Sequence, residues 1–356
     1  MRKYVLGVVL GAILAVGPAL ALRWTFGGSF RIEPTFKIAK VGTTDAVRSF
    51  AIVDPGDSRL NLKVAREDGN FLFIEVKAPY GTWHSTGAIN TGNWGLRHAF
   101  VYVKTPLGSL KLGHTWSILD FVFANQHMNG DRAAIGYGNL FGARVWEVVY
   151  CKGPAKFAIV EPKAVSLIGG ATRVELPKIE AAFSFGPANV SFSYNTYKEE
   201  ATTDTITVSS IALAAFAGLP LGPAKVTVNA YYGQNLFVYA GQSGFHAPYV
   251  DTTGTVNNTT GIGGFAQVMA KAGKGLFTAG LGVDMAKEPV EDAWNNFDNT
   301  EKETASRMVV FANYKLSLAK KFVAIPEFAI FTDKVGTQDA NKNTNTFVGV
   351  YFEYDF

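Results

Sequence analysis

The sequence predicts an all-β protein, a transmembrane antiparallel β-barrel of 16 strands with short turns at one rim and long loops at the other. Three observations carry this. Over Thr346 to Phe356, Val348, Val350, Phe352, Tyr354 and Phe356 alternate with Gly349, Tyr351, Glu353 and Asp355. Such alternation is a strand with one apolar and one wet face. A strand with lipid outside and water inside satisfies both faces. Similar runs recur along the chain in pairs joined by tight turns. Nothing after residue 21 reaches 18 continuous apolar residues, so no helix is expected to span a membrane.

The amino-terminal segment reads as an export signal. Arg2 and Lys3 precede the apolar run Tyr4 to Val16, Pro18 breaks it, and Ala19-Leu20-Ala21 forms a cleavage site. Residues 1–21 are therefore expected to be a signal peptide and residues 22–356 the barrel. Without Arg2 and Lys3 the formal charge falls from +4 to +2. That balance argues against a nucleic-acid partner. A composition that is 48 % hydrophobic and 13 % aromatic, with 37 glycines, suits many short strands, tight turns and aromatic girdles. The single cysteine, Cys151, excludes an internal disulfide framework.

In β1, Leu22, Trp24, Phe26, Phe30 and Ile32 alternate with Arg23, Thr25, Ser29 and Arg31. In β2, Leu60, Leu62 and Val64 alternate with Arg59, Asn61 and Lys63. In the run before the last short turn, Met308, Val310, Ala312, Tyr314 and Leu316 alternate with Asn313, Lys315 and Ser317. The run from Val145 to Cys151 has no assignable inward face. Short turns are read at residues 66–70, 105–108, 152–155, 186–188, 218–222, 272–274 and 319–321. All but the last contain Gly or Pro, which supply turn dihedrals at low cost. Seven turns imply fourteen strands, and the two terminal runs make sixteen. An even count lets the first and last strands pair, and closure removes the edge that lipid cannot tolerate. The short turns and both termini then face the periplasm. Longer loops are expected near 34–57, 79–95, 116–142, 162–175, 198–205, 233–260, 286–306 and 333–345.

Two stretches carry a family resemblance. Ser58-Arg59-Leu60-Asn61-Leu62-Lys63 with Glu67-Asp68-Gly69 resembles the second strand and turn of the general Gram-negative outer-membrane porins. Arg97 to Val103, followed by Leu107-Gly108-Ser109-Leu110-Lys111-Leu112-Gly113, resembles their fourth and fifth strands. The aromatic carboxyl terminus resembles the sorting signal of outer-membrane barrels. The resemblance implies an outer-membrane homotrimer of 16-stranded barrels that passes small hydrophilic solutes and ions by diffusion. It also implies a third loop folded inward to narrow the pore. The chain departs from the pattern at Asn61, where glycine is common, and in a third loop without a Pro-Glu-Phe-Gly-Gly tip. Trimer contacts are expected through apolar outer faces, with Trp24, Phe26 and Phe30 as candidates.

A barrel of this size leaves an aqueous channel, so width and lining charge determine function. The inward set of the first five strands is basic: Arg31, Arg59, Lys63, Lys77, Arg97 and Lys111, with Glu75 as the nearby acid. Asp120 and Asp131 lie in the third loop. A basic wall opposite an acidic loop would set a transverse field at the constriction and select solutes there. Leu119, Phe121 and Phe123 would pack that loop against small wall residues such as Ala99 and Val101, or form a slide for a partly apolar ligand. No catalytic residue, cofactor or metal site is expected. Gly-x-Ser-x-Gly, His-Glu-x-x-His and a phosphate-binding loop are absent. His98 and His114 are placed near turns or lipid faces, and His127 alone lies in the third loop. Two alternatives stay open. One is a substrate-selective channel for an anion or organic acid. The other is a structural or adhesive barrel binding through loops 233–260 and 286–306.

Overall fold

The computed structural model describes residues 22–53, 58–77, 95–119, 124–128, 133–200, 205–239, 246–250, 254–287, 304–335 and 342–356. They form a closed antiparallel barrel of 16 wall strands. In chain order these are β1 (Arg23–Val41), β2 (Val47–Val53 with Arg59–Ala65), β3 (Phe71–Lys77), β4 (Gly95–Thr105), β5 (Gly108–Trp116) and β6 (Arg144–Lys152). Then come β7 (Ala155–Val160), β8 (Ala171–Arg173 with Lys178–Phe185), β9 (Ala188–Glu200), β10 (Thr205–Leu221) and β11 (Ala224–Gln234). The wall ends with β12 (Thr260–Ala272), β13 (Gly275–Lys287), β14 (Thr304–Ala319), β15 (Phe322–Val335) and β16 (Lys342–Asp355). The expected signal peptide lies outside the described residues.

Closure follows the terminal pairing. β1 and β16 run antiparallel from Ser29↔Asp355 to Val41↔Asn343. Past the end of β16, the Phe356 amide donates to the Gly28 carbonyl at 3.1 Å. The alternation predicted for β16 is observed. Tyr351 is 1 % exposed and Val348 48 %. Trp24 at 66 %, Phe26 at 70 % and Phe30 at 56 % face outward from β1. An outward apolar surface of this extent cannot face water without cost and calls for an apolar environment outside the barrel.

Boundaries of loops and turns are corrected, Ala171–Arg173 within the expected loop 162–175 being strand. Residues 34–57 are not one loop: β1 continues to Val41, and Val47–Val53 pairs back on it from Glu33↔Val53 to Ala39↔Val47. Pro34 hides the continuation. It lacks an amide, and the β1–β16 ladder skips from Ile32↔Phe352 to Thr35↔Gly349 around it. Likewise β10 runs through Gly218 and Pro220 to Leu221, and the turn is Gly222-Pro223, with Gly222 at φ 59°. The turn lacking Gly and Pro places Lys321 at φ 67°.

The inside of the barrel is unevenly filled. The inner faces of β9, β10 and β11 contribute Tyr197, Ile206, Val208, Ala212 and Tyr231 to an apolar cluster. Residues Leu236–Tyr239, together with Leu119 and Leu140 of the third loop, complete it. Segment 163–170 is fastened to β9. The Glu199 carboxylate accepts from the amides of Leu167, Ile168 and Gly170 and from the Ser166 hydroxyl, and the Tyr197 hydroxyl donates to the Val165 carbonyl. Residues 235–239 and 246–250 are held where the Tyr239 hydroxyl donates to Ser193 Oγ and His246 Nε2 lies 2.9 Å from Asp284 Oδ1. Among the described residues, parts of three loops therefore fold inward rather than of one.

Candidate functional site: the charged wall and the third loop

The third loop leaves β5 at Trp116, crosses the lumen and returns to β6 at Arg144. Its described part reaches the opposite wall. The Ser117 hydroxyl donates to Glu180 Oε2 at 2.7 Å, and the Asn125 amide to Gln267 Oε1 at 2.8 Å. Glu327 on β15 is the main anchor. Its carboxylate accepts from Gln126 Nε2, from the His127 and Met128 amides and from Asn313 Nδ2, at 2.8–3.1 Å. Ala124, Met128, Ala134 and Tyr137 pack against Val309, Phe311, Ile325, Phe331 and Tyr351 of the inner wall. Backbone contact is close here: a Cβ on Gly282 would clash with the Tyr137 carbonyl oxygen. Gly138, at φ 105°, abuts the Gly264 carbonyl in the same way. The inward-folded loop is thus observed among the described residues. Asp120 and Asp131, and Phe121 and Phe123, lie outside them.

Inward parity on the facing wall follows from strand pairing. Arg59 lies opposite Lys77, Asn61 opposite Glu75 and Lys63 opposite Phe73. Arg97 occupies a bulge, because Glu75 pairs with His98 while Val76 pairs with Leu96. A bulge puts two consecutive side chains on one face. Arg97 and His98 are accordingly both buried. This corrects the placement of His98, whose Nδ1 lies 3.1 Å from Thr115 Oγ1 inside the barrel. It also corrects Ala99 and Val101. Beyond the bulge Phe100 and Tyr102 point inward, so Ala99 and Val101 take the outer face and cannot pack the loop. Leu119 packs in the β9–β11 cluster instead. His114 pairs with Trp146, which is 40 % exposed on the outer face of β6. The His127 ring packs 4.7 Å from Tyr351.

Each cation read as inward-facing belongs to this wall, but most are countered. Arg31 binds Glu353 through Nε at 2.8 Å and Nη2 at 2.5 Å. Glu75 receives Arg97 Nε at 2.8 Å and lies 3.6 Å from Arg59 Nε. Lys111 Nζ is 2.7 Å from Glu147 Oε1. The β6 run thereby acquires its inward face: Glu147 and Val149 are buried, while Val148 and Tyr150 are exposed. Lys77 packs along Gly95. Lys63 has its ammonium 4.4 Å from the centre of the Phe71 ring. Glu75 is therefore not the only acid near the basic set. Glu147 and Glu353 are further partners, the latter visible beforehand only through barrel closure. Arg144, at the foot of the third loop, stands 3.7 Å over Trp116 and 3.4 Å from His98 Nε2.

Among the described residues no group of three His, Cys, Asp or Glu side chains could hold a metal. The arrangement is a lumen whose β8–β16 side is occupied by folded loops and whose β1–β6 side carries paired and solvent-reaching charges.

No protein-family model and no curated protein sequence matches the chain. Solved structures do. The outer membrane channel DcaP of Acinetobacter baumannii matches with a TM-score of 0.69 at 17 % identity, over 94 % of this chain and 98 % of that one. The anion-selective porin from Comamonas acidovorans matches at 0.55 and 14 % identity, over 94 % and 100 %. OmpF of Salmonella typhi, in complex with daunomycin, matches at 0.54 and 12 %, over 94 % and 97 %. The chain has the fold of the Gram-negative outer-membrane porins.

Proposed function

We propose that the protein is a non-enzymatic outer-membrane channel for passive diffusion of small hydrophilic solutes and ions. The supporting observation is the wall itself: an apolar outer belt surrounds an inner face of charged and polar side chains, in a closed barrel with no free edge. The third loop and the basic set Arg31, Arg59, Lys63, Lys77, Arg97 and Lys111 form the selective zone, with Glu75 as its central counter-ion. On this reading Asp120 and Asp131 supply the loop's own charge. The Trp24, Phe26 and Phe30 face of β1 is the subunit contact of a homotrimer, and residues 1–21 are removed on export.

Proteoliposomes carrying the folded protein should swell in isotonic solutions of small neutral sugars, with rates falling steeply as solute size rises. Swelling indistinguishable from protein-free vesicles for every solute would reject a diffusion channel and favour the adhesive alternative.

A further inference from the structure

We propose that the inner wall of β2–β5 carries a binding strip for aromatic carboxylates, with a ring-stacking surface and its own cation. The inference rests on the channel reading, because the strip opens only to the lumen. Between the Glu75–Arg97 pair and Lys104 at the short turn, the inward positions of β3 and β4 are rings. Phe73 lies opposite Phe100 and Phe71 opposite Tyr102. The Phe71 and Tyr102 rings are stacked, with centroids 5.2 Å apart and planes at 25°. Phe73 and Phe100 are 5.7 Å apart, and Phe71 meets Phe100 edge-on at 5.9 Å.

These rings are half-buried, so part of each face remains accessible, and none belongs to the apolar clusters that hold the loops. Among the described residues, loop packing does not account for them. A wall serving only to solvate ions would place hydroxyls or charges at such positions. Two cations frame the strip. Lys63, itself exposed, lies 4.4 Å from the Phe71 ring centre, and Lys111 lies 6.0 Å from that of Phe100 while paired to Glu147. An incoming ring can lie against Phe73 and Phe100, where offset or edge-on contact is favourable. Its carboxylate then meets Lys63, whose described partner is a ring face and not an acid. A cationic ring would meet the two lysines and is disfavoured. A neutral ring keeps the stacking and loses the charge contact.

The test titrates the detergent-folded full-length barrel with benzoate, cyclohexanecarboxylate and acetate by calorimetry, and adds the same anions to an open channel in a bilayer. Benzoate should bind about fivefold more tightly than its saturated counterpart, the equivalent of one good ring–ring contact. Acetate should bind more weakly than both. F73L/F100L should abolish the benzoate preference, and K63Q should weaken benzoate while keeping the order of the three anions. Equal binding of benzoate and cyclohexanecarboxylate by the unaltered protein, or binding of neither, overturns the strip even where current flows. Ring-dependent binding without any current leaves the strip standing and removes the channel reading. The comparison of ligands on the unaltered protein decides the matter even where a variant fails to fold.

Discussion

Replacing Glu327 by alanine should give larger and noisier single-channel currents from a barrel that still forms. The carboxylate accepts four hydrogen bonds, three of them from consecutive residues of the third loop, Gln126 to Met128. A buried donor deprived of its acceptor costs about 1–3 kcal/mol. Several such losses together approach the whole ~5–15 kcal/mol margin of a typical domain. The wall strands keep their own ladders, so the cost falls on the loop, which leaves the wall. Loop residues Met128 and Ala134 are fully buried only because the loop is seated there. Glu327→Gln should have a smaller effect, because an amide oxygen still accepts from two of the donors. Conductance and current noise compared across the three proteins check this. Unchanged currents from Glu327→Ala would mean that the apolar contacts alone hold the loop.

The second large effect is on ion preference. Changing Arg59 and Arg97 together to glutamine should move the reversal potential toward cations. The two guanidinium groups lie 3.6 and 2.8 Å from one carboxylate, Glu75, so the cluster carries a surplus positive charge. Removing both reverses its sign. Arg97 and Glu75 are buried, and breaking such a pair from one side is costly, by roughly 3–5 kcal/mol. Adding Glu75→Gln to the double variant should therefore restore stability while returning the reversal potential part of the way. Indistinguishable reversal potentials in all three proteins would place the selective zone elsewhere in the lumen.

Much of this was legible in residue order because a membrane-spanning strand must sort its side chains by parity. Val348 to Phe356 shows this, as does Arg59-Leu60-Asn61-Leu62-Lys63, and both appear in the barrel as read. Parity fails where the backbone inserts a residue. The Arg97–His98 bulge leaves the sequence looking regular, yet it turns His98, Phe100 and Tyr102 inward and Ala99 outward. It fails again where both faces are apolar. Along β10, Ile206, Val208, Ala212 and Ala214 face the packed loops while Ile211 and Leu213 face outward, so no alternation marks the filled half of the lumen. The strand continuing beyond Pro34 was masked by a residue that ordinarily ends one. Glu327 and Glu353 carry no local signal at all. Their roles arise from partners on the order of 200 and 320 residues away, which only barrel closure and the inward fold of the third loop bring near.

The proposed channel requires an aqueous, charge-lined path along the β1–β6 side of the barrel, past the third loop. Planar bilayers under a salt gradient test it most directly, with protein whose folded state is verified by its resistance to detergent before heating. Stable nanosiemens-scale steps and a reversal potential displaced toward anions are expected. No conductance from the folded barrel, or steps with a clear cation preference, would contradict it.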